Sequence, residues 1–193
     1  MVTGVTAQVE RSDAARAHSL ARDRLLAGER IDMQQLAAEL GVDRSTLFRW
    51  VGSRDQLVSR ILQELGQKTL ARVLRKVRDD GFSGARLVAE AVAGFADELI
   101  TAPFFRTYLR REPERALRLL TTNASPIQDE MIGAVQRLLD QEVDLAALSY
   151  PMPSCDLAYL VIRVGESFVY TDLITGGVPD CAKARTALLA LLS

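Results

Sequence analysis

Histidine and cysteine are nearly missing from this 193-residue sequence, which has one of the first, His18, and two of the second, Cys155 and Cys181. A lone histidine excludes a histidine-rich metal site and argues against a histidine-based triad. Two cysteines are too few for a disulfide framework, and they lack the spacing of metal ligands. No apolar run reaches the ~18 residues of a membrane span. The opening stretch MVTGVTAQVERSDAAR has no apolar core of a signal peptide. No glycine-rich phosphate loop and no serine nucleophile elbow is visible. Alternating strand patterns are scarce as well. These absences predict a cytoplasmic, all-α protein that is not an enzyme and uses no metal, cofactor or membrane. At 48 % hydrophobic and 25 % charged residues, the chain has ordinary globular composition and enough length to bury a core unaided.

A net charge of −1 excludes a uniformly basic nucleic-acid coat. The sum hides a segregation. Between 43 and 78 nine basic residues, from Arg44 to Arg78, stand against Asp43, Asp55 and Glu64, a local net of +6. From Leu119 onward the balance is four basic to nine acidic. A solvated helix face explains either half alone; together they fit a polyanion-facing head and a body with other work.

Helical periodicity runs through nearly the whole chain. It predicts helices at about 12–27, 33–40, 44–50, 54–79, 84–101, 103–111, 113–122, 125–142, 154–175 and 180–192. Gly28, Gly41, Gly52, Gly81, Pro103, Pro113, Pro126, Pro151, Pro153, Gly176-Gly177 and Pro179 separate them. The first ten residues read as disordered.

Local signals agree most closely between Ile31 and Leu57. Asp32 with Gln35 forms a capping-box pattern, and Ile31 with Leu36 a hydrophobic staple. Gly41 suits the left-handed turn that ends this helix. Asp43 caps a second helix, with Val42 and Leu47 as its staple. Ser53 and Gln56 begin a third, with Asp55 near its positive end. Leu36, Leu40, Val42, Leu47 and Trp50 are placed to close a small core, and Ala37 is small where the helices cross. This is the layout of a helix-turn-helix, whose second helix turns Arg44, Ser45, Thr46 and Arg49 outward. Two short helices of an ordinary bundle would leave that polar face unexplained.

The string AAELGVDRSTLFRWVGSRDQLV, Ala37 to Val58, resembles the DNA-binding head of TetR-family transcriptional regulators. The matching positions are Gly41-Val42, Thr46-Leu47-Phe48, Arg54-Asp55 and Leu57. Phe48 stands where the family often has tyrosine, so its contact to DNA is apolar. Arg49-Trp50 replaces a frequent aromatic-histidine pair, and Gly52 stands where a basic residue is common. The resemblance implies a three-helix head at 1–58 and a helical effector-binding and dimerisation bundle at 59–193. Arg44 and Arg49 are the expected base readers, because arginine pairs bidentately with guanine. Ser45, Thr46 and Phe48 sit beside them. Gln34, Ser53 and Arg54 are expected to position phosphates.

One head covers little DNA, so a two-fold homodimer on a double-stranded operator is expected. TetR-like proteins dimerise through their last two long helices, here Cys155–Thr175 and Asp180–Leu192. Phe95, Phe105, Tyr108, Tyr159, Arg163, Glu166 and Tyr170 are the candidate effector residues. Tyr159, Arg163, Glu166 and Tyr170 share one helical face by spacing and line either a pocket or the dimer seam. The expected function is a repressor released by a small apolar effector of fatty-acyl or lactone type. The whole chain also resembles regulators of acyl-homoserine-lactone degradation. The competing classes are a helical interaction module without specific DNA binding and an all-α enzyme.

Overall fold

A computed structural model describes residues 2–145 and 148–193, with side chains from Ser12 onward. The described residues contain helices and no strand. Four helices build the N-terminal part: α1 (Val2–Leu26), α2 (Met33–Glu39), α3 (Arg44–Val51) and the long α4 (Arg54–Asp79). Seven follow: α5 (Gly84–Thr101), α6 (Pro103–Arg111), α7 (Pro113–Thr121), α8 (Ile127–Asp144), α9 (Ser154–Val169), α10 (Thr171–Ile174) and α11 (Cys181–Leu191).

Capping chemistry sets several of these boundaries. Asp32 accepts the Gln34 and Gln35 amides at 2.7 and 3.1 Å. It caps with its carboxylate alone, without the reciprocal Gln35 bond expected of a full box. Asp43 takes the Thr46 amide at 2.7 Å. Ser53 and Gln56 close the complete box. Gly52, at φ +74°, ends α3; a Cβ there would come within 2.3 Å of Gln56 Oε1. Glycine therefore clears space for the cap of the next helix. Pro103 and Pro113 start α6 and α7, where a missing amide proton costs nothing.

Two expected boundaries differ. α1 begins at Val2, well before residue 12, although Val2, Thr3, Gly4, Val5 and Thr6 are all weak helix formers. The helix expected over 154–175 breaks at Tyr170, whose φ of −104° and ψ of 16° separate α9 from α10. No sequence breaker marks that point. Tyr170 leaves the helical register with its side chain only 4 % exposed, packed into the main core, so tertiary packing decides the break.

The core divides into two clusters. The first joins Ala17, Ala21, Ile31, Leu36, Leu47 and Leu57 of the head to Phe105, Leu109, Leu119 and Tyr170. The second packs Val73, Leu87, Val88, Leu139, Leu157, Val161 and Leu188. The first cluster crosses the 58/59 division, and α4 runs through it unbroken. Head and body share a core at that junction.

Candidate nucleic-acid interface and buried cavity

The α2–turn–α3 unit is held from behind. Leu36 and Leu47 are fully buried, and Ala37 and Val51 nearly so. Gly41, at φ +71°, makes the turn. Arg24 of α1 pairs with Glu39 of α2, and the Arg60 guanidinium caps α3 by donating to the Val51 carbonyl. With its apolar side consumed, α3 turns the other outward. Arg44, Ser45 and Arg49 are exposed, and Phe48 is 57 % exposed. The Ser45 hydroxyl donates to Asp43 at 2.6 Å. That bond, followed by the Thr46 amide, holds the Asp43 carboxyl below its usual range. Gln34 is exposed on α2.

Arg54 lies elsewhere than its expected place at a phosphate. Its Nε donates to the Ile31 carbonyl at 2.7 Å, and its two terminal nitrogens grip Glu112 at 2.7 and 2.5 Å. The pair is largely buried, with side chains 15 % and 16 % exposed. Burial alone would raise the Glu112 pKa; the Arg54 hydrogen bonds and charge reverse this and lower it. Asp55 beside it meets Arg118 at 2.5 Å and Arg115 at 3.4 Å. Tyr108 is buried nearby, and burial followed by the Glu112 charge pushes its phenol up to about 12. The start of α4 is thus welded to the α6–α7 corner. The basic run from Arg44 to Arg78 is correspondingly divided. Arg44 and Arg49 stand on α3; Arg54, Lys68 and Arg72 are spent on Glu112, Glu64 and Glu98.

Beyond the head, α4, α5, α6, α8 and α9 enclose a cavity of about 570 Å³. Its walls are mostly apolar, with Leu62, Leu65, Phe95, Leu99, Phe104, Met131 and Ile162 among them. That volume lies within the range of small-molecule sites. Four of the expected effector residues, Phe95, Phe105, Glu166 and Tyr170, stand on the wall. Three do not. Tyr108 lies in the head–body junction. Tyr159 is 50 % exposed on α9. Arg163 reaches outward around α9, with Nη1 3.3 Å from the Thr121 carbonyl. The expected stripe of Tyr159, Arg163, Glu166 and Tyr170 therefore splits: its first member is exposed and its last two line the cavity. Tyr159 and Glu166 share one side of α9, but Tyr159 lies about 10 Å further along the helix axis, beyond the cavity wall, and α9 ends at Tyr170.

Sequence reasoning missed the α4 and α8 walls, including Gln63, Gln67, Gln128 and Met131. Their pattern is that of any amphipathic helix facing a core, and nothing in it distinguishes a filled interior from a hollow one. Among the described residues no cluster of histidine, cysteine or carboxylates suits a metal ion. No described helix is long and apolar enough to cross a membrane.

The family profile described as "Tetracyclin repressor-like, C-terminal domain" matches residues 83–193. The chain belongs to the TetR family of transcriptional regulators, as its head motif and all-α fold agree. It is a DNA-binding regulator with a helix-turn-helix head and a ligand-binding class of body. Such regulators are in general non-enzymatic. Among solved structures the chain is similar to the R. erythropolis transcriptional repressor QsdR of the TetR family. The identity is 25 %, the match covers 93 % of this chain and 94 % of that one, and the TM-score is 0.83. A TetR-family transcriptional regulator from Rhodococcus sp. shares the fold at 19 % identity, covering 96 % and 100 % of the two chains, with a TM-score of 0.55. A comparison with curated proteins returned no match.

Proposed function

We propose that this protein is a repressor that a small apolar effector releases from a double-stranded DNA operator. Arg44 and Arg49 read base edges in the major groove, Phe48 packs on a thymine methyl or sugar, and Ser45, Thr46, Gln34 and the Ser53 cap meet phosphates or base edges. A homodimer formed through α9 and α11 sets two such heads about 34–36 Å apart. The outward Tyr159 and Leu160 of α9, both exposed apolar side chains, support that face as the seam. The protein acts in the cytoplasm, and an effector of fatty-acyl or lactone type fits the largely apolar wall.

The observation that carries the reading is the geometry of α4. Its middle walls the cavity, and its first residue, Arg54, holds Glu112 at the end of α6. The beginning of α6 carries Phe104 and Phe105 into the same cavity. A ligand that shifts α6 pulls on the helix that positions the head. The coupling typical of such linkage is ~1–3 kcal/mol.

Gel shifts on the DNA upstream of the gene that encodes the protein test this, read at several salt concentrations so that ionic attraction is separated from sequence preference. Arg49→Ala is expected to lose selectivity by ~1–3 kcal/mol at one base position. Equal binding to all duplexes, before and after that change, overturns the proposal.

A further inference from the structure

We infer that the cavity takes an amphiphile with an amide head, whose N–H is donated to Glu166, whose carbonyl accepts from the Tyr170 hydroxyl, and whose hydrocarbon tail lies along α4. This rests on the effector reading above and narrows its ligand class.

Most polar groups on the wall are already spent. Glu130 accepts from both Gln63 and Gln67, the latter at 2.8 Å. Arg72 and Glu98 pair at 2.5 Å toward the outer end. With its nitrogen facing acceptors, the Gln128 amide donates to the Leu120 carbonyl at 2.8 Å and to Glu166 Oε1 at 2.9 Å. Two groups at the inner end keep unused capacity. Tyr170 is 4 % exposed and stands on the cavity wall, with a hydroxyl able to donate. Glu166 keeps acceptor capacity. Arg163 Nη1 forms an ion pair with its Oε2 at 2.7 Å, off the line of a hydrogen bond, so that oxygen still has lone pairs open. The ionised carboxylate offers about four acceptor directions, and Gln128 uses one. Burial, set against Arg163 and Gln128, lifts the Glu166 pKa to about 7.

An acceptor beside a phenolic donor matches the donor–acceptor pair of an amide. A carboxylate ligand at this end would face Glu166, whose neighbouring cation, Arg163, is already paired with it, while Arg72 and Arg137 lie toward the exposed rim. From Leu62 to Arg72 the α4 wall extends about 15 Å, at 1.5 Å per residue. That length suits an extended chain of medium length.

Calorimetric titration with three probes of equal chain length tests the assignment: N-methyldecanamide, methyl decanoate and decanoate. The amide is expected to bind about tenfold more tightly than the ester, the worth of one hydrogen bond to an ionisable group, and decanoate most weakly. Glu166→Leu is expected to erase the amide-over-ester preference while keeping ester binding. The wild-type series decides even where that variant fails to fold. A wild-type preference for decanoate, with Arg137 as its partner, overturns the Glu166 assignment and leaves the effector cavity standing. So does an amide preference that survives in Glu166→Leu. Absence of binding by all three probes overturns the effector cavity itself, and this inference with it.

Discussion

The head and the body solve the packing problem in opposite ways. In the head, Ile31, Leu36, Leu47 and Leu57 are all 0–1 % exposed in the filled, head-side part of the first cluster. In the body, five helices of similar apolar character stand around about 570 Å³ of open space. A filled core holds a reading helix in one orientation, which recognition of base edges requires. A hollow one forgoes dispersion contacts along its lining and is left with arrangements a ligand can choose between. Arg54 and Glu112 bridge the two regimes, so a change in the loose half reaches the rigid one.

Filling and emptying the two cores breaks this contrast most directly. Leu47→Ala is expected to cost about 3–4 kcal/mol, because a fully buried leucine in a tight core leaves a cavity that collapses poorly. Chemical denaturation measures this, and DNA binding should fall with it. A cost below about 1 kcal/mol would mean that the head is as loosely packed as the body.

Cutting the bridge is next. Arg54→Ala strands Glu112 in a largely buried site and is expected to cost about 2–3 kcal/mol. It should also reduce effector-driven release of DNA more than it reduces DNA affinity. An equal loss of affinity on all duplexes, with effector response intact, would instead return Arg54 to a phosphate.

A pH series separates the two regions again. Glu166 titrates near 7 in the fold against 4.5 for the free side chain. A raised carboxyl pKa favours the fold below the unfolded value, and that contribution is lost as pH rises from about 4.5 through 7. Glu166→Gln removes this titration. Its unfolding free energy should therefore exceed that of the wild type above pH 7 by an amount on the order of 3 kcal/mol, with a higher melting temperature, and the gap should close toward pH 4.5. Glu112 works in the opposite sense. Its lowered pKa contributes stability above about 4.5 that is lost as the pH falls further.

The smallest effect sharpens the comparison. A Cβ on Gly66 of α4 would meet only Phe95 Cζ, at 3.9 Å. Gly66→Ala is expected to gain about 0.5–1 kcal/mol from helix entropy and ordinary contact. Gly94→Ala, across the same interface, brings a Cβ within 2.9 Å of Val73 Cγ1 and is expected to lose stability. Thermal melts of the two variants should move in opposite directions.

Much of the fold was legible in advance because its signals are local. The bounds of α4, α5 and α6 follow from Ser53, Pro103 and the Asp80-Gly81 stop, each acting within one turn of chain. The exposed face of α3 follows from its own periodicity for the same reason. The walls of the cavity were half legible. Phe95 and Phe105 announced themselves as aromatics, whereas Gln128 and the α4 wall carried no mark separating them from core.

The sequence alone determined the helices, the helix-turn-helix and the residues it exposes, since caps, glycine turns and 3.6-residue periodicity act between near neighbours. Tertiary structure decided the partner of Arg54, the break at Tyr170, the exposure of Tyr159 and the empty space beside Glu166. Each depends on which distant helix arrives at that point; Arg54 and Glu112 are 58 residues apart. A periodic apolar stripe records that a face is buried, and it holds no record of what, if anything, lies against it.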